Sequence, residues 1–209
     1  MEERRPRRPT LLGKAALDSW GGSPDPAQLA EAAHHTASLL VESGRSTSDA
    51  GARARLVRLV DEVGLDTVAE MWASRPGRSL PGALWRLYAL REWVRTDAVL
   101  AATDFAAGRP VAPVSHVVAG AADPPTPEAL RALLDQVLHG VFAGDLDVAL
   151  ERAAAFCRVV VAGRVHRADD LEDGDPVAAA ALTRSSASLR DTADDLEAAA
   201  ALWRSHDLV

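Results

Sequence analysis

Isoleucine and asparagine are absent from this chain of 209 residues, and Lys14 is its only lysine. Alanine, arginine, glycine, proline and aspartate are abundant instead, the profile of a GC-rich coding bias. Arg-rich and Asp-rich clusters then arise by chance more often, so none counts as a motif on composition alone. One cysteine, Cys157, excludes an internal disulfide framework and agrees with a reducing compartment. No segment approaches the roughly 18–20 uninterrupted apolar residues of a membrane span. No apolar run of signal-peptide length opens the chain, so the expected address is the cytoplasm. The net charge of -7 argues against broad binding to nucleic acid or to an anionic membrane. A Gly-rich phosphate loop and a Gly-x-Ser-x-Gly elbow are also missing. No cofactor is expected.

What the chain does have is apolar residues at helical spacing. Hydrophobic residues make up 48% of it, enough for a proper core. The stretch Ser79–Arg95 holds Trp85, Trp93 and the only tyrosine, Tyr88. On a helical wheel, Leu80, Ala83, Leu84, Leu87, Leu90 and Val94 form one broad face, while Trp85, Ala89 and Trp93 cover much of the other. A helix apolar nearly all round is a central one. The expected fold is therefore all-α, a single bundle-like domain of about seven helices around this Trp/Leu-rich helix.

Residues 1–22 carry Arg4, Arg5, Arg7 and Arg8 between prolines and read as a basic, flexible arm, with a short helical piece over Leu11–Leu17. The helical domain spans 23–209. Its first helix starts at Asp25-Pro26 and ends at Gly44, with Leu29, Ala33, Thr36, Ala37, Leu40 and Val41 inward. A second covers Asp49–Val63, with Leu56, Leu59, Val60 and Val63 inward, and Asp66 caps a third through Trp72 to Ser74. The central helix follows its cap Ser79, and the pattern continues from Asp97 to Gly108. Residues 109–126 contain four prolines, with a fifth at Pro127, and no helical period. They read as a linker or as an ordered strap, and Val111, Val114, Val117 and Val118 favour the strap. Residues 127–209 form helical hairpins: a helix from Thr126-Pro127, a widely apolar helix from Leu146 to about His166, an acidic loop Asp169–Asp175, and a last helix from Pro176. In that last helix Leu182, Leu189, Leu196 and Trp203 recur every seven residues, which suits packing on the preceding helix or on a second copy of the chain.

Glu31-Ala-Ala-His34 resembles the Glu-x-x-His motif of ferritin-like di-iron proteins, which need a second such motif that this chain lacks; Asp135 and His139 could add ligands. Asp169-Asp-Leu-Glu-Asp173 resembles the magnesium-diphosphate motif of the all-helical isoprenoid synthases, placed in a loop where that family has a helix. The bland reading of each is surface histidines and a solvated acidic turn. Leu59–Glu70 faintly resembles a helix-turn-helix, but its would-be recognition helix presents Asp66 and Glu70 rather than positive charge. Cys157, within an apolar helix, reads as an inert core thiol.

Arg91 falls at the centre of the Leu80, Leu84, Leu87 face, where a guanidinium requires a carboxylate, an anion or a route to water. A salt bridge to Asp61, Glu62 or Glu70 is one reading. A ligand pocket lined by Arg91, Tyr88, Trp85 and Trp72 is the other. The expected function is a noncatalytic module that binds a protein partner or itself, as a homodimer through the last helix. The alternative is a small-molecule-binding or metal-dependent helical enzyme built on Asp169–Asp173 or on Glu31 and His34.

Overall fold

A polar cap followed within two residues by proline sets four of the helix starts. Asp25, Ser79, Thr126 and Asp175 each accept a hydrogen bond from a backbone N–H of the first turn, at 3.0, 3.3, 3.1 and 3.0 Å. Pro26, Pro81, Pro127 and Pro176 lie just inside, where the missing N–H costs nothing. The computed structural model describes residues 25–209, so the basic arm over 1–22 and the Leu11–Leu17 piece lie outside the described residues. Among those described there are ten helices and no strand. They are α1 (Pro26–Ser46), α2 (Ala50–Val57), α3 (Leu59–Val63), α4 (Leu65–Trp72), α5 (Leu80–Thr96), α6 (Ala98–Gly108), α7 (Pro113–Ala119), α8 (Pro127–Ala143), α9 (Leu146–Leu171) and α10 (Pro176–Arg204). No helix among them is long and apolar enough to cross a membrane.

The fold is all-α, as expected, with ten helices among the described residues against an expectation of about seven. α5 packs against α1, α4, α6, α8, α9 and α10. Leu84 and Leu87 are fully buried in it, while Trp85 and Trp93 are half-buried. The most extensive contacts belong to α9, which lies against α10, α6, α7 and α8 and is buried on more than one side. Side chains from Ala33 in α1 to Leu208 beyond α10 belong to one hydrophobic cluster.

Several local expectations are corrected. The helix expected over Asp49–Val63 breaks at Arg58, whose φ of -96° and ψ of 18° leave the helical region. The break turns Val57 inward and leaves Val63 43% exposed. Leu29, placed on the inner stripe of α1, is 44% exposed because the neighbouring helices cover α1 only from Ala33 onward. Asp66 does not cap α4: the helix opens at Leu65 behind Gly64, and Asp66 lies in the first turn, where its charge suits the helix dipole. The 109–126 segment contains α7, begun by Pro113 and ended by Gly120 at φ 72°, so its prolines and glycine are the start and stop signals of a short helix. Val111, Val117 and Val118 stay exposed, and Ala119 is buried. Arg152 donates to the Ala119 carbonyl at 3.3 Å, and Arg109 pairs with Asp123 across the segment. Finally, α9 runs on to Leu171, so Asp169 and Asp170 belong to its last turn and only residues 172–175 form the connection.

Candidate functional site

Helical spacing splits α5 into two faces with different neighbours. Leu84, Leu87, Tyr88 and Arg91 look toward α1, α4 and α8, with Arg91 also reaching Asp61 of α3, whereas Trp85, Ala89 and Trp93, four residues apart, look toward α10, Trp93 also packing on α9.

On the first face Arg91 is 7% exposed and fully engaged. Its Nη1 and Nη2 donate to Asp61 Oδ1 and Oδ2, both at 3.1 Å, and its Nε donates to Asp135 Oδ1 at 2.6 Å. Burial alone would lower the pKa of Arg91, but the bonds to Asp61 and Asp135 outweigh it and hold the pKa above its ordinary value. Reciprocally, the hydrogen bond from Arg91 holds the Asp61 carboxyl below the usual carboxylate range. Tyr88 and Trp72 stack at 6.4 Å between ring centroids, and both are fully buried. The Tyr88 hydroxyl donates to the Leu56 carbonyl at 2.6 Å, and Trp72 Nε1 donates to Thr36 Oγ1 at 3.3 Å. Burial pushes the Tyr88 hydroxyl well above its usual pKa. Of the four residues expected to line one pocket, three therefore share a core tie joining α1, α2, α3, α4 and α8 to α5. Trp85 lies on the opposite side.

That opposite side opens into a groove of about 550 Å³ between α5 and α10. It exists because the residues facing each other across it are small. Ala89 separates the two indoles on α5, and Ser185, Ser188 and Thr192 take the matching face of α10, with Leu189 among them. Such side chains cannot fill the space between two helices held apart by Trp85 and Trp93.

Charged groups of α6 and α9 close one end. Asp104, inside α6 and 0% exposed, accepts from Arg164 Nε at 2.8 Å and also pairs with Arg167. The Arg164 guanidinium, 4.9 Å from the centre of the Trp93 ring, lies over the indole. Its Nη1 reaches the Ser185 carbonyl only at 3.5 Å, and its Nη2 has no hydrogen-bond partner among the described residues. Toward the other end Arg86 donates to Asp195 at 2.7 Å and to the Gly82 carbonyl at 3.1 Å, and Arg78 approaches Asp195 at 3.5 Å. Of these guanidinium groups, those of Arg86 and Arg164 line the groove, and each shares its carboxylate with an arginine outside the lining.

Arg164, Arg167 and Asp104 were missed from sequence. The available signals were a lone acid in the alanine-rich run Ala-Ala-Thr-Asp-Phe-Ala-Ala and two arginines three apart on an apolar helix.

The other candidates stay apart. Glu31 is exposed, and His34 lies within 3.4 Å of Ser38 on its own helix. Asp135 is engaged by Arg91, and no three His, Cys, Asp or Glu side chains cluster as a metal site among the described residues. Asp169, Asp170 and Asp173 are exposed around the end of α9. Cys157 is fully buried, and burial pushes its thiol up to about 12, far from a reactive thiolate. No known protein family, curated protein or solved structure matches the chain.

Proposed function

We propose that the protein is a noncatalytic interaction module whose recognition surface is the groove between α5 and α10. The observation that carries this reading is the chemistry of the lining: two half-buried indoles and two leucines, Leu90 and Leu189, beside Arg86 and Arg164, each oriented by a carboxylate. Tryptophan and arginine are the residue types that dominate recognition energetics. Guanidinium groups are poor proton shuttles, and the Ser185 and Thr192 hydroxyls donate back to carbonyls of their own helix. The groove is thus furnished to hold and orient a bound group.

The test compares the full chain, immobilised, with an Ala89→Phe variant that fills the space between the indoles, after circular dichroism has shown both to be folded. Each is exposed to a cell extract, and retained species are identified by mass spectrometry. The wild type should retain a compound or polypeptide that the variant loses, and release it chemically unchanged. Retention equal in both proteins, or release of a converted product, refutes the reading.

A second reading, self-association, rests on a different surface. Leu39, Val63 and Met71, on α1, α3 and α4, are 47%, 43% and 38% exposed and surround an apolar groove of about 330 Å³. The leucine seam of α10 is less available, since Leu196 is fully buried in the core cluster. Light scattering on the eluted protein decides: a dimer broken by Met71→Glu supports this reading, and a strict monomer removes it.

A further inference from the structure

The charge and shape of the α5–α10 groove narrow what it can hold. The charged side chains that line it are both arginines, Arg86 and Arg164, and the carboxylates that pair with them, Asp195 and Asp104, are each shared with a second guanidinium outside the lining, Arg78 and Arg167. Arg164 is 8% exposed, and half-buried or buried charge keeps much more of its field than charge in water. Nη2 of Arg164 is unpartnered among the described residues, and so is the Ser188 hydroxyl across the groove, whose neighbours Ser185 and Thr192 have turned their own protons to the helix backbone. Asp104 holds the guanidinium through Nε, so its Nη edge keeps a fixed position at the groove, where Nη2 is open to solvent and free to donate to a carboxylate.

The apolar part of the lining lies beside this donor end. Trp85 and Leu189 offer half-buried apolar surface beside the buried Leu90, and the gap over Ala89 is open. The volume of about 550 Å³ is that of a small-molecule site, while the lining residues of α5 and α10 extend over only about two turns of each helix, which is short for a docked peptide helix.

We propose that the groove binds a small aromatic carboxylate, its carboxylate on Arg164 Nη2 with Ser188 and its ring against Trp85 and Leu189. The inference rests on the groove being the recognition surface and adds the ligand's chemical class.

Naphthoate and its neutral counterpart naphthalenemethanol are the probes, titrated calorimetrically into the full chain. Naphthoate should bind the wild type, and the alcohol should bind roughly tenfold or more weakly, the value of one charge-assisted hydrogen bond. Ser188→Asp places a negative charge on an exposed stretch of α10, where the fold tolerates it, and should weaken naphthoate by a similar factor while leaving the alcohol unaffected. Arg164→Gln should do the same, and Ser188→Asp keeps the test decisive if burying Asp104 with fewer partners unfolds that variant. Equal binding of acid and alcohol overturns the carboxylate assignment and leaves the groove reading standing. Binding that survives Ala89→Phe, or no binding of either probe up to about 1 mM, overturns the inference; extract capture that also fails takes the groove reading with it.

Discussion

Replacing Gly163 with alanine tests the scaffold that holds Arg164, because α6 and α9 cross there with their backbones in contact. A Cβ at Gly163 would stand 1.8 Å from the Asp104 carbonyl oxygen and 2.8 Å from the Gly108 nitrogen. Reciprocally, a Cβ at Gly108 would stand 1.8 Å from the Val159 carbonyl oxygen. Ordinary contact begins at 3.4 Å, so relief requires the helices to part by about 1.6 Å, the gap between 1.8 and 3.4 Å. Both obstacles are backbone atoms, and no rotamer change moves them.

The magnitude follows from three terms. Overpacking of this kind costs about 1–3 kcal/mol. Parting α6 from α9 also stretches the bonds of buried Asp104 to Arg164 and Arg167, and charge-assisted bonds contribute about 1.5–3 kcal/mol each, of which a part is lost. Against this, alanine is favoured over glycine in a helix by about 1 kcal/mol. The net expectation is a loss of about 2–4 kcal/mol, or roughly 5–15 °C in melting temperature for a chain of this size. Gly140→Ala is the control: its Cβ would meet only the Ala149 methyl, at 3.6 Å, so helix propensity should leave stability unchanged or raise it by up to about 1 kcal/mol. Differential scanning calorimetry on both variants checks the pair. A Gly163→Ala protein melting with the wild type would refute the close crossing, and with it the fixed position of Arg164 at the groove.

Two further variants address the Arg91 side. Tyr88→Phe removes the donor to the Leu56 carbonyl and should lower stability by about 1–3 kcal/mol in urea unfolding with an unchanged slope; an effect within about 0.5 kcal/mol would mean that water reaches that carbonyl. Asp61 has a native pKa depressed by Arg91, so its stabilisation is fully present above the unfolded value near 3.9 and is lost as pH falls through the lower native value. The stability difference between wild type and Asp61→Asn should therefore be constant at neutral pH and narrow only below about pH 4; a difference independent of pH down to full acid unfolding would exclude the Arg91 tie as its source.

The parts of the fold legible in the sequence were those fixed by near neighbours along the chain. Ser79 with Pro81 and Thr126 with Pro127 mark starts because a cap acts within one turn, and the inward stripe of α8 from Leu130 to Val141 is read from its period alone. What the period cannot report is how far a neighbour covers a helix, which is why Leu29 and Val63 fall outside the core that their spacing matches. Nor can it see a break such as Arg58, where no glycine or proline marks the turn.

The site was hidden for a related reason. A groove is a space left by residues distant in sequence, here Ala89 and Ser188, and small side chains carry no signal that anything lies opposite them. Arg91 and Arg164 show the point with the same local appearance, one arginine in an apolar helix face. Arg91 has two carboxylates to itself, Asp61 and Asp135, whereas Arg164 shares Asp104 with Arg167. The first guanidinium is therefore satisfied inside the protein and ties helices together. The second shares its carboxylate with Arg167, and that long-range ratio of acids to arginines, rather than either residue's own surroundings in sequence, decides which guanidinium is fully neutralised inside the protein.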